Sequence, residues 1–276
     1  MRIDSHHHMW AFDPVEYDWI DNSMGVLKQD YLLKELEQTL SKNGFEGSIA
    51  VQARQSIEET LWLSEIAEST DVIKGVVGWI DIRSDSLSDV LNQLKNHQKI
   101  VGFRHVIQGE TDPTFMRNPD FIRGLKILAE HNYSYDLLIF AHQLPAAAKM
   151  LAQVPNLNVV IDHIAKPKIK TKAEFEQWQM GMAELAKNPN CYCKLSGMVT
   201  EADWDNWTQN DFKSYLDTVF QLFGSERLMF GSDWPVCLVA GEYEAIKNIV
   251  LAYIQDRHPN SIDNIFGNNA SRFYQI

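Results

Sequence analysis

Eight short apolar runs, each ending at a polar residue and each followed by a helical pattern, constrain this chain more than any other feature. The runs cover residues 2–6, 48–52, 75–81, 100–105, 134–139, 158–163, 191–197 and 228–230. Helical patterns follow at about 32–40, 58–68, 86–96, 120–130, 144–153, 173–187, 212–223 and 243–256, and residues 262–273 close the chain. Strict alternation of this kind, with no pair of adjacent hairpin strands, implies a parallel sheet with helices outside it. Eight such units in 276 residues favour a closed (β/α)8 TIM barrel over a doubly wound open sheet. No Ser/Gly-rich linker divides the chain, so the expectation is one α/β barrel domain over residues 1–276. Hydrophobic residues make up 45% of it, enough for a large core. Residues 13–30 are irregular and aromatic, and are placed over the mouth of a pocket.

In a parallel barrel, ligands bind at the C-terminal ends of the strands. The last apolar run, Leu228 to Phe230, breaks at Gly231-Ser232 and is followed by Asp233-Trp234-Pro235. A single carboxylate there can transfer protons, or it can cap the next helix. The other strand ends carry His6, His7 and His8, Gln52 and Arg54, Trp79 and Asp81, Arg104 and His105, His142, Asp162 and His163, and Lys194 and Ser196. On an extended segment His6 and His8 share one face and His7 takes the other. Six of the nine histidines lie at one end of the expected barrel, a concentration that marks a pocket rather than a scatter of structural residues. Arg104 can instead pair with an internal carboxylate such as Asp81 or Asp162, and Lys166-Pro167 reads as shaping the loop after the sixth strand.

Composition narrows the partners. Lys and Arg total 25 against 37 Asp and Glu, a net charge of −12, which repels phosphate backbones and argues against nucleic acid. No apolar run approaches the roughly 20 residues of a membrane span. The first residues show no apolar signal segment, so the expected location is cytoplasmic. Cys191, Cys193 and Cys237 are odd in number and lack metal or redox spacing, so they are expected as free thiols buried as small hydrophobes. Oligomeric state is left open.

The segments Asp-Ser-His-His-His-Met-Trp at 4–10, Gly-Phe-Arg-His at 102–105, Asp-His-Ile-Ala-Lys-Pro at 162–167, Lys-Leu-Ser-Gly at 194–197 and Gly-Ser-Asp-Trp-Pro at 231–235 resemble the amidohydrolase superfamily. More narrowly they resemble its sugar-lactonase branch, the L-fuconolactonase-like and pyrone-dicarboxylate-lactonase-like members. Residues 17–20 and 195–202 are similar to the L-fuconolactonase-like members in particular. The resemblance implies a barrel, hydrolysis of a sugar-acid lactone such as L-fuconolactone or L-rhamnonolactone, and Asp233 as general acid/base. It places His6, His8 and His163 with Asp233 as catalytic residues. Arg104, His105, His142, Lys194, Trp79, Glu201 and Trp234 become candidates for substrate contact. The fourth strand ends in Arg104-His105 and lacks the lysine that bridges two metals elsewhere in the superfamily. A two-metal site is therefore not expected, and because the lactonase branch includes members that need no metal, the resemblance implies no required cofactor, with one divalent ion such as zinc accommodated by His6, His8, His163 and Asp233. Two other functions stay open: a metal-dependent amidohydrolase or decarboxylase of the same superfamily, and a non-catalytic sugar-acid binding barrel.

Overall fold

The computed structural model describes all residues from Met1 to Ile276. Eight parallel strands pair in sequence order: β1 (Ile3–His7), β2 (Gly47–Val51), β3 (Ile73–Gly78), β4 (Ile100–His105), β5 (Ser134–Leu137), β6 (Val159–Ile161), β7 (Cys191–Leu195) and β8 (Leu228–Phe230). Helices α1 (Leu33–Asn43), α2 (Ile57–Glu68), α3 (Leu87–Leu94), α4 (Pro119–Glu130), α5 (Leu144–Leu151), α6 (Phe175–Ala186), α7 (Gln209–Phe223) and α8 (Tyr243–Arg257) alternate with the strands. The fold is the expected (β/α)8 barrel. No helix is long and apolar enough to cross a membrane.

Strand alternation sorts side chains between two layers. On β7, Cys191 and Cys193 face the helices and join the large outer core, while Tyr192 packs against the smaller interior cluster. All three cysteines are buried and unbridged. Inside the barrel, Ile3, Ile49, Val51, Val77, Val160 and Met229 form an apolar base. A short final helix, α9 (Asn269–Tyr274), seals this base with Phe273 and Tyr274. Its role was not evident in residues 262–273, where the apolar pattern is too short to show that the segment plugs the barrel floor.

The barrel closes at the seam between β1 and β8, and the closure uses side chains as much as the backbone. At the C-terminal rim the His8 amide donates to the Trp234 carbonyl (2.7 Å) and the Asp233 amide to the His6 carbonyl (2.9 Å). Below the rim, the Ser5 hydroxyl donates to the Phe230 carbonyl (2.7 Å). The Asp4 carboxylate accepts from the Ser232 amide (2.8 Å) and the Tyr243 hydroxyl (2.9 Å). The register of β1 on β2 slips by one residue between Asp4 and His7. That irregularity lies beside His6 and His8, as bulges commonly do near active sites.

Candidate active site

At the C-terminal mouth lies a cavity of about 360 Å³, within the range of small-molecule sites, roughly 300–1,000 Å³. Asp233, His8, His163 and Arg104 form its floor, Lys166, Glu201, Thr200 and Gln108 its polar wall, and Trp19, Met24, Trp204, Val236 and Val239 much of its apolar cover. Trp19 and Met24 come from residues 13–30, so that segment does lie over the mouth.

Asp233 sits just past β8 in a left-handed conformation (φ 60°). Three imidazoles face its Oδ1: His8 Nε2 at 3.5 Å, His6 Nε2 at 3.8 Å and His163 Nε2 at 3.9 Å. His6 Nε2 and His8 Nε2 are 3.2 Å apart, as the H-x-H spacing on one face requires. His6 is fully buried and lies beneath the cavity wall, whereas His8 and His163 line it. His8 Nδ1 donates to the Val51 carbonyl (2.8 Å), which turns its Nε2 toward Asp233. His163 Nδ1 is 2.9 Å from the Ser196 hydroxyl. Two glycines make room. A Cβ on Gly231 would stand 2.6 Å from the Cβ of His6, and one on Gly197, whose φ is +56°, would meet the His163 ring at 2.5 Å.

Beneath this group lies an ionic layer. Lys194 Nζ contacts Asp136 and lies 3.0 Å from Asp162 Oδ1 and 3.1 Å from His6 Nδ1. Arg104 Nη1 bonds Asp162 Oδ2 (3.1 Å) and approaches His6 Nε2 (3.4 Å), and Nη2 donates to the Gln52 carbonyl. From below, the Tyr274 hydroxyl donates to the Asp136 carboxylate (2.9 and 3.0 Å).

The electrostatics follow from these neighbours. Burial alone would raise the Asp233 carboxyl, but the imidazoles of His163, His8 and His6 outweigh it and hold the group below the usual carboxylate range. Asp162, despite burial, is likewise held low by Lys194, His6 and Arg104. Burial lowers His163 to about 4, and burial with the Lys194 charge lowers His6. At neutral pH the floor therefore presents an ionised carboxylate among neutral imidazoles His6 and His163.

The donor set fits one divalent ion. His6, His163 and Asp233 offer ligand atoms within 4.8 Å of one another, and His8 Nε2 joins them. The carbonyl behind His8 is the kind of outer partner that fixes a metal-binding imidazole. Nothing corresponds to a second, bridging metal ligand at Arg104, which is bound to Asp162 and Gln52.

Five expected substrate contacts lie elsewhere. Arg104 points inward, so its neighbour His105 points outward. There His105 stacks on Phe115, bonds Glu110 (2.6 Å) and accepts from the Trp79 indole (3.3 Å), which removes Trp79 as well. His142 is exposed and stacked on Phe140. Lys194 is fully enclosed in the ionic layer. Trp234 packs edge-on against Tyr31 and anchors the segment after β1. Conversely, Lys166 and Thr200, which lie within the motifs but carry no expected substrate contact there, reach the cavity, as does Gln108, which lies in none of them.

The Amidohydrolase family profile matches residues 3–276. The chain is 38% identical over 289 residues to an L-fucono-1,5-lactonase of Burkholderia multivorans, covering 100% of this chain and 96% of the relative. It is 32% identical over 280 residues to an L-fucono-1,5-lactonase of Burkholderia ambifaria, with the same coverage. A crystal structure of an amidohydrolase from Burkholderia multivorans with bound zinc superposes with a TM-score of 0.96 at 37% identity, over 100% of this chain and 99% of that one.

The enclosure of Lys194 leads to a stability prediction. Lys194→Met leaves Asp136 and Asp162 without their shared cation and should cost about 3–5 kcal/mol, measured by urea denaturation. Adding Asp136→Asn should recover part of the loss. A single variant as stable as the parent would contradict this account of the ionic layer.

Proposed function

This chain belongs to the amidohydrolase family, and from that premise we propose that it hydrolyses a sugar-acid lactone, an aldonolactone such as L-fuconolactone or L-rhamnonolactone, with Asp233 as the general acid/base. It is a hydrolase of cyclic esters. The observation that carries the assignment of Asp233 is one ionised carboxylate at the cavity floor, ringed by three imidazoles within 3.9 Å. The lactonase names of the two relatives support the substrate class.

Lactone hydrolysis needs a base for water, a donor for the oxyanion and an acid for the leaving oxygen. Asp233, ionised, takes a proton from water as the water adds to the acyl carbon. Arg104 and His163 border the same floor and supply hydrogen-bond donors to the carbonyl oxygen as charge develops. The protonated Asp233 then returns its proton to the ring oxygen as the acyl–oxygen bond breaks, releasing the open-chain acid. His6 and His8 hold Asp233 in place. Bound by His6, His8, His163 and Asp233, a divalent ion would supply polarisation of the carbonyl and a lowered water pKa. Arg104 Nη1 stands 3.4 Å from the His6 Nε2 that would face the ion and competes for its lone pair. On that ground we assign the chemistry to the protein's own groups.

The charge balance of the cavity argues for a neutral substrate. Arg54 pairs with Glu16 and lies near Glu59, Arg104 pairs with Asp162, Lys166 with Glu201, and Lys194 with Asp136 and Asp162. No uncommitted cation awaits a dicarboxylate. In a pH-indicator assay, neutral aldonolactones should be hydrolysed faster than pyrone dicarboxylate; the opposite order would overturn the substrate assignment, and no turnover of any lactone would overturn the reaction.

Metal dependence has its own measurement. Exhaustive chelation, checked by elemental analysis, should leave kcat within about twofold of the untreated enzyme, since Asp233 already supplies the base. Loss of activity restored by zinc would assign the carbonyl polarisation to a metal instead.

A further inference from the structure

Four consecutive residues without glycine, His163 to Lys166, adopt left-handed backbone conformations, with φ of 53°, 47°, 59° and 45°. Each such L-residue costs roughly 1–2 kcal/mol. Segments so strained persist where their surroundings over-determine them, and they cluster at functional sites. The effect of this turn is legible in what it places. His163 and Lys166, three residues apart, both reach the cavity, while Ile164 and Ala165 between them are fully buried. The Trp178 indole pins the turn by donating to the Ile164 carbonyl (2.7 Å). The Lys170 amide donates to the Glu201 carbonyl (2.9 Å), joining the loop after β6 to the loop after β7. The backbone thus sets Lys166 opposite Glu201.

Their side chains face each other across the cavity wall with Nζ 3.7 Å from Oε1, both largely but not fully enclosed. At that separation the pair attracts, yet makes no full hydrogen bond. The ammonium retains donors and the carboxylate retains lone pairs. A hydroxyl group can accept from the one and donate to the other, and charged partners make such bonds strong. Gln108, which lines the same cavity, adds a third polar group, and its shielded Oε1 has no partner.

We propose that Lys166 and Glu201 are the specificity-determining pair of this site, reading the ring hydroxyls of a polyhydroxylated substrate while Asp233 acts on its ester. The inference deepens the lactonase reading and rests on it for the identity of the substrate. The pair is net neutral, so it favours polyols over anions. The left-handed turn keeps the hydroxyl-reading ammonium in fixed relation to His163.

The test compares the parent with Lys166→Met, Lys166→Arg and the near-isosteric Glu201→Gln, each checked for folding by circular dichroism and thermal melting. KM and kcat are measured with L-fucono-1,5-lactone, and Kd for the neutral polyol L-fucitol by calorimetry. Loss of a hydrogen bond to a charged group weakens binding roughly 10- to 100-fold. Lys166→Met and Glu201→Gln should raise KM and Kd by that factor, with the loss in kcat/KM lying in KM, and Lys166→Arg should recover part. Unchanged KM and Kd in folded variants, or a loss confined to kcat, would overturn the proposal. If the parent turns over no lactone, the lactonase reading fails and the calorimetry decides alone: a Kd that depends on both residues upholds the pair. A Kd indifferent to them, or no binding of L-fucitol to the parent, overturns it.

Discussion

One buried ammonium, Lys194 Nζ, touches Asp136 on β5, Asp162 at the end of β6 and His6 on β1. Desolvating an ammonium and two carboxylates is expensive, and Coulomb attraction alone seldom repays it. Here hydrogen bonds supplement it: Arg104 takes one oxygen of Asp162 and Tyr274 donates to Asp136 from the final helix, while Asp162 Oδ1 relies on the Lys194 charge at 3.0 Å. Arrangement is what the layer contributes. It fixes the direction of His6 from beneath, and His6 with His8 and His163 fixes Asp233. The apolar base of the barrel below keeps water away from these charges.

The seam between β1 and β8 is the second constraint. His6, His8 and Asp233 all come from it, so the geometry that closes the barrel also aligns the site. Asp4 and Ser5 act as part of this closure, binding Ser232, Tyr243 and Phe230 across the gap. The two roles share a stretch of chain: a shift of β1 relative to β8 would open the barrel and move His6 and His8 away from Asp233.

Much of this was legible in the sequence. The alternation of apolar runs with helical patterns located every strand within a few residues, because buried parallel strands read as continuous apolar runs. The H-x-H spacing and the Gly-Ser-Asp break placed His6, His8 and Asp233 together. What failed was the assumption that every polar residue at a strand end faces the ligand. The period of two decides that, and it sends His105 outward when Arg104 points inward. Lys194 points inward, but a residue within the strand stops below the mouth, where it becomes the centre of the ionic layer. In the sequence Lys166 marks only a shaped loop, because a left-handed turn of four residues without glycine has no local sequence signal. Gln108 and Thr200 come from loops whose path depends on packing, and α9 is too short to mark itself as a plug.

The central claim is that the carboxylate of Asp233, held by this scaffold, performs the proton transfers of hydrolysis. Asp233→Asn tests it most directly, because the amide preserves shape and removes the base. With an aldonolactone as substrate, kcat should fall by at least about 10²–10⁴-fold, the usual contribution of general acid/base catalysis, while product binding measured on the same preparation changes much less. A variant that keeps near-parental kcat would contradict the account.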